Sequence, residues 1–207
     1  MNIYTWFIFI SSISVLSAIP GPNMIFILNT SINKTFRETL ISTIGCIFGV
    51  LISIITCCFI LISLSNIQQQ FINTINILGV LYLFIIGIKY INYEPRSSKN
   101  KETYLSKINN NLFIDGFLIS SCNPKTILFI ISFFPQFIDI KLPLLPQYSI
   151  LIITFIICET FWMFAYIYGG NKAKEIIENP KIFIFINKII GVFFILFSIS
   201  LLTLNLT

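Results

Sequence analysis

Six long apolar stretches, separated by short polar segments, run through the sequence. They cover approximately residues 3–28, 40–64, 71–91, 112–134, 148–169 and 183–204. Each stretch is close to the ~20 residues that a helix needs to cross the hydrocarbon core of a bilayer. The pattern therefore predicts an all-α integral membrane protein with six transmembrane helices.

The longest polar segment, residues 93–111, lies between the third and fourth apolar stretches and carries several lysines. It divides a single membrane domain, residues 1–207, into two halves of three spans each. The first half covers about residues 1–92 and the second about residues 112–207. We therefore treat the halves as candidate repeats that are joined by a basic loop.

Positive charges are distributed unevenly among the predicted loops. By the positive-inside rule, the connections that carry most of them are cytoplasmic, so both termini face outward. Only Lys141 flanks a connection on the other side. The cations at the first, third and fifth connections are Lys34, Arg37, Lys89, Arg96, Lys99, Lys101, Lys107, Lys172, Lys174, Lys181 and Lys188. Three spans per half then place the two halves in opposite orientations.

The first span is interrupted by Pro20-Gly21-Pro22-Asn23. A proline inside a helix lacks the N–H donor, so the two prolines leave the carbonyls of Leu16 and Ala18 without helical partners. In hydrocarbon a freed carbonyl costs several kcal/mol, so such a break persists only where protein or a water-filled cavity supplies partners. The break is typical of a discontinuous helix that lines a substrate pathway. The alternative is a kinked membrane helix whose neighbours absorb the lost hydrogen bonds.

The fourth span contains a similar break at Asn123-Pro124-Lys125. Residues 22–28 after the first break align with residues 124–130 after the second, and the third span of each half carries a glycine, Gly79 and Gly191. Together these matches predict two inverted three-helix repeats, each with a broken first helix. In such an arrangement the site lies where the two broken helices meet, near the midplane.

The composition supports a membrane protein and excludes several classes of function. The chain is 56% hydrophobic and only 10% charged, with a mean hydropathy of +0.91. It has no histidine, the commonest general base and metal ligand, and its cysteines lie in apolar segments as packing residues. We therefore expect no catalytic site, no metal and no cofactor. The net charge of +5 reflects topology and contact with membrane lipid rather than binding of nucleic acid.

Two ionisable residues, Lys125 and Glu159, lie deep within the predicted spans. Each costs about 2.5–3.5 kcal/mol at the centre of a membrane helix, so both should face the protein interior. They form either an ion pair that holds two helices together or a substrate or proton site. Tyr166 lies on the same helical face as Glu159 and could donate a hydrogen bond in the same cavity, although packing alone would also explain it. Asp115 and Lys89 lie near span ends, where we expect them to reach the interface.

Small residues form one face of the second span. Gly45, Gly49, Ser53 and Cys57 recur every four residues, a spacing that lets another helix approach closely. The favoured interpretation is packing within the chain, and a homo-oligomer contact is the alternative.

Several of these motifs, taken together, match the pattern of a known family. They are Pro20-Gly21-Pro22-Asn23, Gly45, Gly49, Gly79, Tyr82, Leu83, Gly87, Asn123-Pro124-Lys125, Pro135-Gln136-Phe137, Glu159, Tyr166 and Gly191. On these residues the chain resembles the lysine exporter and homoserine/threonine exporter family (LysE/RhtB type) over essentially its whole length. The resemblance implies secondary-active export of amino acids or related small metabolites across the bacterial cytoplasmic (inner) membrane.

A zwitterionic amino acid needs both of its charges matched in a cavity of low dielectric constant. We expect Lys125 and the adjacent backbone amides to bind the substrate carboxylate, with hydrogen bonds from Asn23 and Asn123. Glu159 would bind the substrate ammonium or exchange a proton with it. The coupling ion is H⁺ or Na⁺, because a glutamate suits protons and the carbonyls of a broken helix suit sodium.

Two other classes of function compete with export. A non-transporting multi-pass scaffold or assembly subunit would not need paired proline breaks and midplane charges. An intramembrane enzyme would need motifs that the chain lacks, such as a G-x-S-x-G serine or paired intramembrane aspartates. The phosphate-binding G-x-x-x-x-G-K-[ST] loop is also absent, so an ion gradient would supply the energy.

Overall fold

The computed structural model describes residues 3–65, 69–92, 111–139 and 141–206. Within these ranges the regular structure is entirely helical, with eight α-helices, one short 3-10 helix and no strand. The helices are α1 (Ile3–Ala18), α2 (Pro22–Asn33), α3 (Phe36–Ser65), α4 (Gln69–Ile91), α5 (Leu112–Ser121), α6 (Pro124–Phe133), the 3-10 helix (Phe134–Phe137), α7 (Leu144–Glu178) and α8 (Pro180–Leu206). Apart from Asn111, the predicted basic loop lies outside the described residues.

Helices α3, α7 and α8 are each long and apolar enough to cross a membrane. The pairs α1/α2 and α5/α6 reach this length only when each is taken as one span, and they bend by 54° and 41° at their breaks. Helix α4 contributes a shorter apolar segment, Ile77–Ile91. The described residues therefore contain three to five candidate spans, as expected for an all-helical, multi-pass membrane protein.

The structure has a helix break at each of the two predicted positions. Helix α2 begins at Pro22, with Gly21 as its extended N-cap residue. Helix α6 begins at Pro124, and the Asn123 Oδ1 caps it by accepting a hydrogen bond from the Lys125 backbone N–H at 3.0 Å. Proline is favourable in the first turn because its missing N–H would have no helical partner there. Each break is therefore the start of a new helix.

The small-residue face of α3 packs against α5. Cβ atoms added at Gly45 and Gly49 would collide with the backbone of α5, in the first case at Phe113. The Ser53 hydroxyl then donates a hydrogen bond to the Ser121 carbonyl at 2.7 Å. This face is thus used within the chain, as the favoured interpretation of the sequence predicted.

Helix α4 packs along α8 through a reciprocal contact of two glycines. A Cβ at Gly87 would lie 2.9 Å from the Gly191 carbonyl oxygen, and a Cβ at Gly191 would lie 2.6 Å from the Gly87 carbonyl oxygen. The rings of Tyr90 and Phe194 lie beside this contact, 6.1 Å apart. The sequence alignment had matched Gly191 with Gly79, which instead packs against α6.

Helix α1 runs parallel to α7 and is joined to it by hydrogen bonds. Three such bonds link residues with a constant separation of 148 positions, so the two helices run in the same direction. They are Trp6 Nε1 to Thr154 Oγ1 at 3.0 Å, Trp162 Nε1 to Ser14 Oγ at 3.2 Å and Tyr166 Oη to the Ala18 carbonyl at 2.9 Å. The last bond lies at the first helix break.

A phenylalanine cluster fills the core next to the breaks. The Phe9 ring of α1 lies 5.9 Å from Phe133, 5.6 Å from Phe134 and 5.1 Å from Phe137. Such aromatic contacts are worth about 0.5–1.5 kcal/mol each beyond the burial of apolar area. They fix the C-terminal end of α6 and the 3-10 helix against α1.

Two features differ from the sequence-based expectation. The helical conformation of α7 is interrupted at Gly170, where φ is 43°, next to the predicted end of the fifth span, but a further helical segment that the sequence did not predict continues to Glu178. Asp115 does not reach the interface, because only 6% of its surface is exposed and its Oδ2 atom has no hydrogen-bond partner among the described residues. The neighbouring Gly116 lets α5 approach α3 closely, which buries this turn of the helix.

Candidate functional site

The two helix breaks meet at a small closed cavity of about 10 Å³. Its lining contains four of the five polar residues that the sequence suggested as a site. The lining residues are Leu16, Gly21, Asn23, Met24, Asn123, Lys125, Thr126, Phe155 and Glu159. The fifth suggested residue, Tyr166, does not line the cavity but binds the adjacent end of α1.

Lys125 reaches across from the second break to the end of α1. Its Nζ atom donates hydrogen bonds to the carbonyl oxygens of Leu16, at 2.9 Å, and Ile19, at 3.1 Å. The last carbonyls of a helix carry its negative dipole end, so a cation is favourable there. The ammonium group therefore caps α1 in place of the N–H donors that the proline break removes.

The second freed carbonyl is also bound by a side chain. The Tyr166 hydroxyl donates to the Ala18 carbonyl at 2.9 Å. Both carbonyls that the sequence left without helical partners, those of Leu16 and Ala18, thus accept hydrogen bonds from protein side chains. The protein satisfies the requirement that backbone groups at membrane depth find partners.

Two buried asparagines join the beginnings of α2 and α6. The Asn123 Nδ2 donates a hydrogen bond to the Asn23 Oδ1 at 3.1 Å, and both side chains are almost completely buried. Asn23 follows the first residue of α2, and Asn123 caps α6. The positive ends of two helix dipoles therefore converge on the cavity, where they favour a negatively charged group.

Glu159 of α7 supplies the carboxylate of the cavity and is only 8% exposed. The Ser17 hydroxyl and the Asn23 amide are its polar neighbours. Within the described part of the chain, Ser17 Oγ and Asn23 Nδ2 are buried without a completed hydrogen bond. Both groups lie beside the Glu159 carboxylate, to which they can donate hydrogen bonds.

Lys125 and Glu159 share the cavity but do not form the ion pair that the sequence suggested. Among the described residues, the one ion pair is Lys174–Glu178, which lies at the surface. The lysine is instead held by the carbonyl of Leu16 in the last turn of α1 and by that of Ile19, the residue after α1. A Cβ at Gly21 would approach the Lys125 Cδ to 3.3 Å, so the glycine leaves room for the lysine stem.

The cavity is too small for an amino acid. Its volume of about 10 Å³ is close to the lower limit for holding a single water molecule. In this structure one ammonium, one carboxylate and two helix N-termini surround a water-sized space.

Sequence reasoning missed Ser17 and Thr126 at this site. Serine and threonine are common in membrane helices, and nothing in the pattern separates Ser17 from Ser11, Ser12 or Ser14 of the same span. Thr126 follows Lys125 directly, so the second helix break could have indicated it.

Comparison with known proteins places the chain among transporters. The profile of the LysE type translocator family matches residues 14–205. The homoserine/homoserine lactone efflux protein of Salmonella typhimurium is 28% identical over 200 residues, which is 95% of each chain. The protein of the same name from Salmonella typhi is also 28% identical over 200 residues, again 95% of each chain.

A third relative has a less specific name. It is an uncharacterized membrane protein of Vibrio cholerae, 27% identical over 195 residues and covered over 94% of each chain. No solved structure gives a significant match. Since the family profile covers nearly the whole of this helical chain, the chain belongs to the LysE type translocator family and is a transport protein rather than an enzyme.

Proposed function

We propose that this protein is a secondary-active exporter of an amino acid or a related small metabolite, with its binding site at the cavity between the two helix breaks. The observation that carries the proposal is the convergence of Lys125, Glu159 and two helix N-termini on one buried space. Midplane charges beside two broken helices are typical of transporter sites. A non-transporting scaffold would have no use for them.

The proposed architecture has six spans in two inverted repeats, α1/α2, α3 and α4 followed by α5/α6, α7 and α8. Helix contacts support this assignment, because α1 packs on α7 as α5 packs on α3. The uneven distribution of cations supports a cytoplasmic-membrane orientation with both termini outside.

For the substrate carboxylate, Lys125 is the proposed partner. An ammonium group has three donors, and the structure uses two of them on the carbonyls of α1. The third donor and the amides at the start of α2 and α6 can bind a carboxylate together. Asn23 and Asn123 would fix the distance between these two helix ends.

For the substrate ammonium, Glu159 is the proposed partner. Its carboxylate is buried beside Ser17 and Asn23, whose Oγ and Nδ2 atoms await partners. A carboxylate in such a place either binds an ammonium ion or takes up a proton, because an unpaired buried charge is costly. Glu159 would then bind either the substrate or a proton, but not both at once. This exclusion couples the transport of the substrate to that of the proton.

The hydrogen bonds favour H⁺ over Na⁺ as the coupling ion. Sodium sites in broken-helix transporters use the freed backbone carbonyls. Here the carbonyls of Leu16, Ala18 and Ile19 accept hydrogen bonds from Lys125 and Tyr166. A sodium ion would have to displace these donors next to a resident ammonium charge, whereas a proton needs only Glu159.

Substrate binding should also loosen the contact between Lys125 and the end of α1. A carboxylate that enters the cavity competes with the carbonyls of Leu16 and Ile19 for the Lys125 ammonium. Because an ionic acceptor binds an ammonium more strongly than a neutral carbonyl does, the competition favours release of the end of α1. The end of α1 would thus act as the gate.

The relatives suggest which substrates to test first. Their names refer to homoserine, which has a free carboxylate and ammonium, and to homoserine lactone, in which the carboxylate is closed into a ring. The proposed site predicts that this protein prefers the open amino acid, because only that form carries the anion that Lys125 binds.

The test is transport into inside-out membrane vesicles. The panel of labelled compounds contains homoserine, threonine, lysine and homoserine lactone. Uptake of each compound is measured under an acid-inside pH gradient or under an opposing sodium gradient. We expect uptake of at least one zwitterionic amino acid, driven by the pH gradient in sodium-free buffer. Folded protein that takes up no member of the panel would contradict the proposal and favour the scaffold alternative.

A further inference from the structure

Helix α7 is longer than a membrane span requires. Residues 144–169 rise about 39 Å at 1.5 Å per residue, which already exceeds the hydrocarbon core of about 30 Å. At Gly170 the backbone has φ 43° and ψ −123°, a conformation that interrupts the helix. Residues 171–178 therefore form a separate helical segment after the span, which we call the interfacial segment.

The interfacial segment has a defined end as well as a defined start. Asn179 leaves the helical conformation, and its Oδ1 accepts hydrogen bonds from the backbone N–H groups of Lys181, at 3.1 Å, and Ile182, at 3.3 Å. The asparagine thus caps the start of α8. The kink and the cap isolate the segment from the two membrane helices that it connects.

The interfacial segment is amphipathic. At about 100° per residue, Ala173, Ile176 and Ile177 lie on one face of the helix. Ile176 is 44% exposed, and no described element of the protein buries it. The two glutamates, Glu175 and Glu178, lie on the opposite face.

The lysines of the segment occupy the borders between the two faces. Lys172 and Lys174 are placed about 100° to either side of the apolar face, closer to it than the glutamates. Both lysines are exposed, and Lys174 lies 4.0 Å from Glu178. Long basic side chains at the borders of an apolar face are typical of helices that lie in a membrane surface, because they extend to the headgroups while their stems stay in apolar surroundings.

We propose that residues 171–178 lie in the membrane surface at which α7 ends, with Ile176 and Ile177 at the acyl boundary and Lys172 and Lys174 bound to the phosphates of anionic lipids. By the distribution of cations this is the cytoplasmic surface. The occupant of the exposed apolar face is thus the lipid itself, and the segment anchors the end of the helix that carries Glu159. The proposal depends on α7 crossing the membrane and not on the transported substrate.

Spin-label accessibility in the full chain tests this placement. In a cysteine-free version reconstituted into vesicles of phosphatidylcholine and phosphatidylglycerol, single labels replace Ile176 and, as the matched control on the opposite face, Glu175. We expect the label at position 176 to be more accessible to oxygen and the label at position 175 to be more accessible to an aqueous nickel complex. Equal accessibility of both labels to the nickel complex would overturn the proposal.

The lipid contact is tested by the charge of the vesicle. With both lysines present, replacing phosphatidylglycerol by phosphatidylcholine should move the label at position 176 towards the aqueous phase. The double variant Lys172→Gln/Lys174→Gln should lose this dependence, and the control Lys141→Gln should keep it. If the double variant responds to phosphatidylglycerol as strongly as the parent does, the headgroup contact is wrong.

Discussion

At the scale of single residues, a side chain from one half of the chain repairs the helix break in the other half. Lys125 lies beyond the second break, yet its ammonium binds the carbonyls of Leu16 and Ile19 at the first. Hydrogen bonds to charged groups contribute about 1.5–3 kcal/mol, so this contact stabilises the arrangement of the two breaks. The lysine is a structural cap in the structure and, in the proposed function, also the cation that binds the substrate.

The hydroxyl of Tyr166 contributes to the stability of the protein separately from the ring. The variant Tyr166→Phe keeps the ring but leaves the Ala18 carbonyl without its donor, so we expect a loss of stability of about 1–3 kcal/mol. Thermal unfolding of the purified protein in detergent measures it. Tyr168→Phe is the matched control, because Tyr168 is 76% exposed and should tolerate the change. Equal effects of the two variants would show that the bond to Ala18 contributes nothing specific.

Gly21 provides the space through which Lys125 passes. The variant Gly21→Ala places a Cβ about 3.3 Å from the Lys125 Cδ, so the lysine stem must shift and its bonds to α1 weaken. We expect reduced stability and reduced export. In the background Lys125→Met/Glu159→Gln, the same Gly21→Ala change should cost much less stability, because the flexible methionine can move away from the new Cβ. Substitutions of contacting residues have non-additive effects on stability. If thermal unfolding shows that Gly21→Ala costs the same stability in both backgrounds, Gly21 and Lys125 do not interact.

At the scale of helices, the candidate site lies where the two breaks meet, because each break starts a new helix there. The double variant Pro20→Ala/Pro22→Ala permits a continuous first helix, whose own N–H groups would then compete with Lys125 and Tyr166 for the freed carbonyls. We expect normal membrane insertion and loss of export.

Membrane fractionation measures the insertion of the double proline variant, and vesicle transport measures its export. Pro146→Ala is the control, because Pro146 lies in the first turn of α7 and interrupts no helix. Wild-type export by the double variant would show that the first break is only a tolerated kink.

The sequence predicted these breaks because proline acts locally, through its missing N–H and its ring. It did not predict the separate helical segment after Gly170, because hydropathy falls at Asn171 while residues 171–178 are still helical. Burial of Asp115 was also missed. Its position near a span end suggested the interface, but the close approach of α5 to α3 at Gly116 depends on contacts between distant parts of the chain.

At the scale of the whole molecule, the central prediction is an inverted topology. In a cysteine-free version, a single cysteine at Ser98 should label from the cytoplasm, and one at Gln69 should label from outside. Ser98 lies outside the described residues, so this placement follows from the charge distribution alone. Labelling of both positions from the same side would eliminate the six-span arrangement and the inverted repeat together.

The sequence pointed to the charged residues and asparagines of the candidate site, but not to the partners of these side chains. Lys125 and Glu159 were identified because charges are rare and costly in membrane spans. An ion pair between them was a reasonable expectation, but the lysine has two kinds of acceptor within reach. The carbonyls at the end of α1 bind it instead, and only the packing of α6 against α1 brings them close enough.

The most direct measurement is export by the variant Lys125→Met/Glu159→Gln in inside-out vesicles. Removing both charges together avoids leaving one buried charge without the other. The loss of the Lys125 hydrogen bonds to Leu16 and Ile19 still lowers stability, so thermal unfolding is measured beside export and export is expressed per amount of folded protein. The control Lys89→Met/Glu178→Gln changes two exposed charges. The account predicts a double variant that inserts and folds but exports no substrate, beside a control with normal export. Export at the native rate by the folded double variant would contradict it.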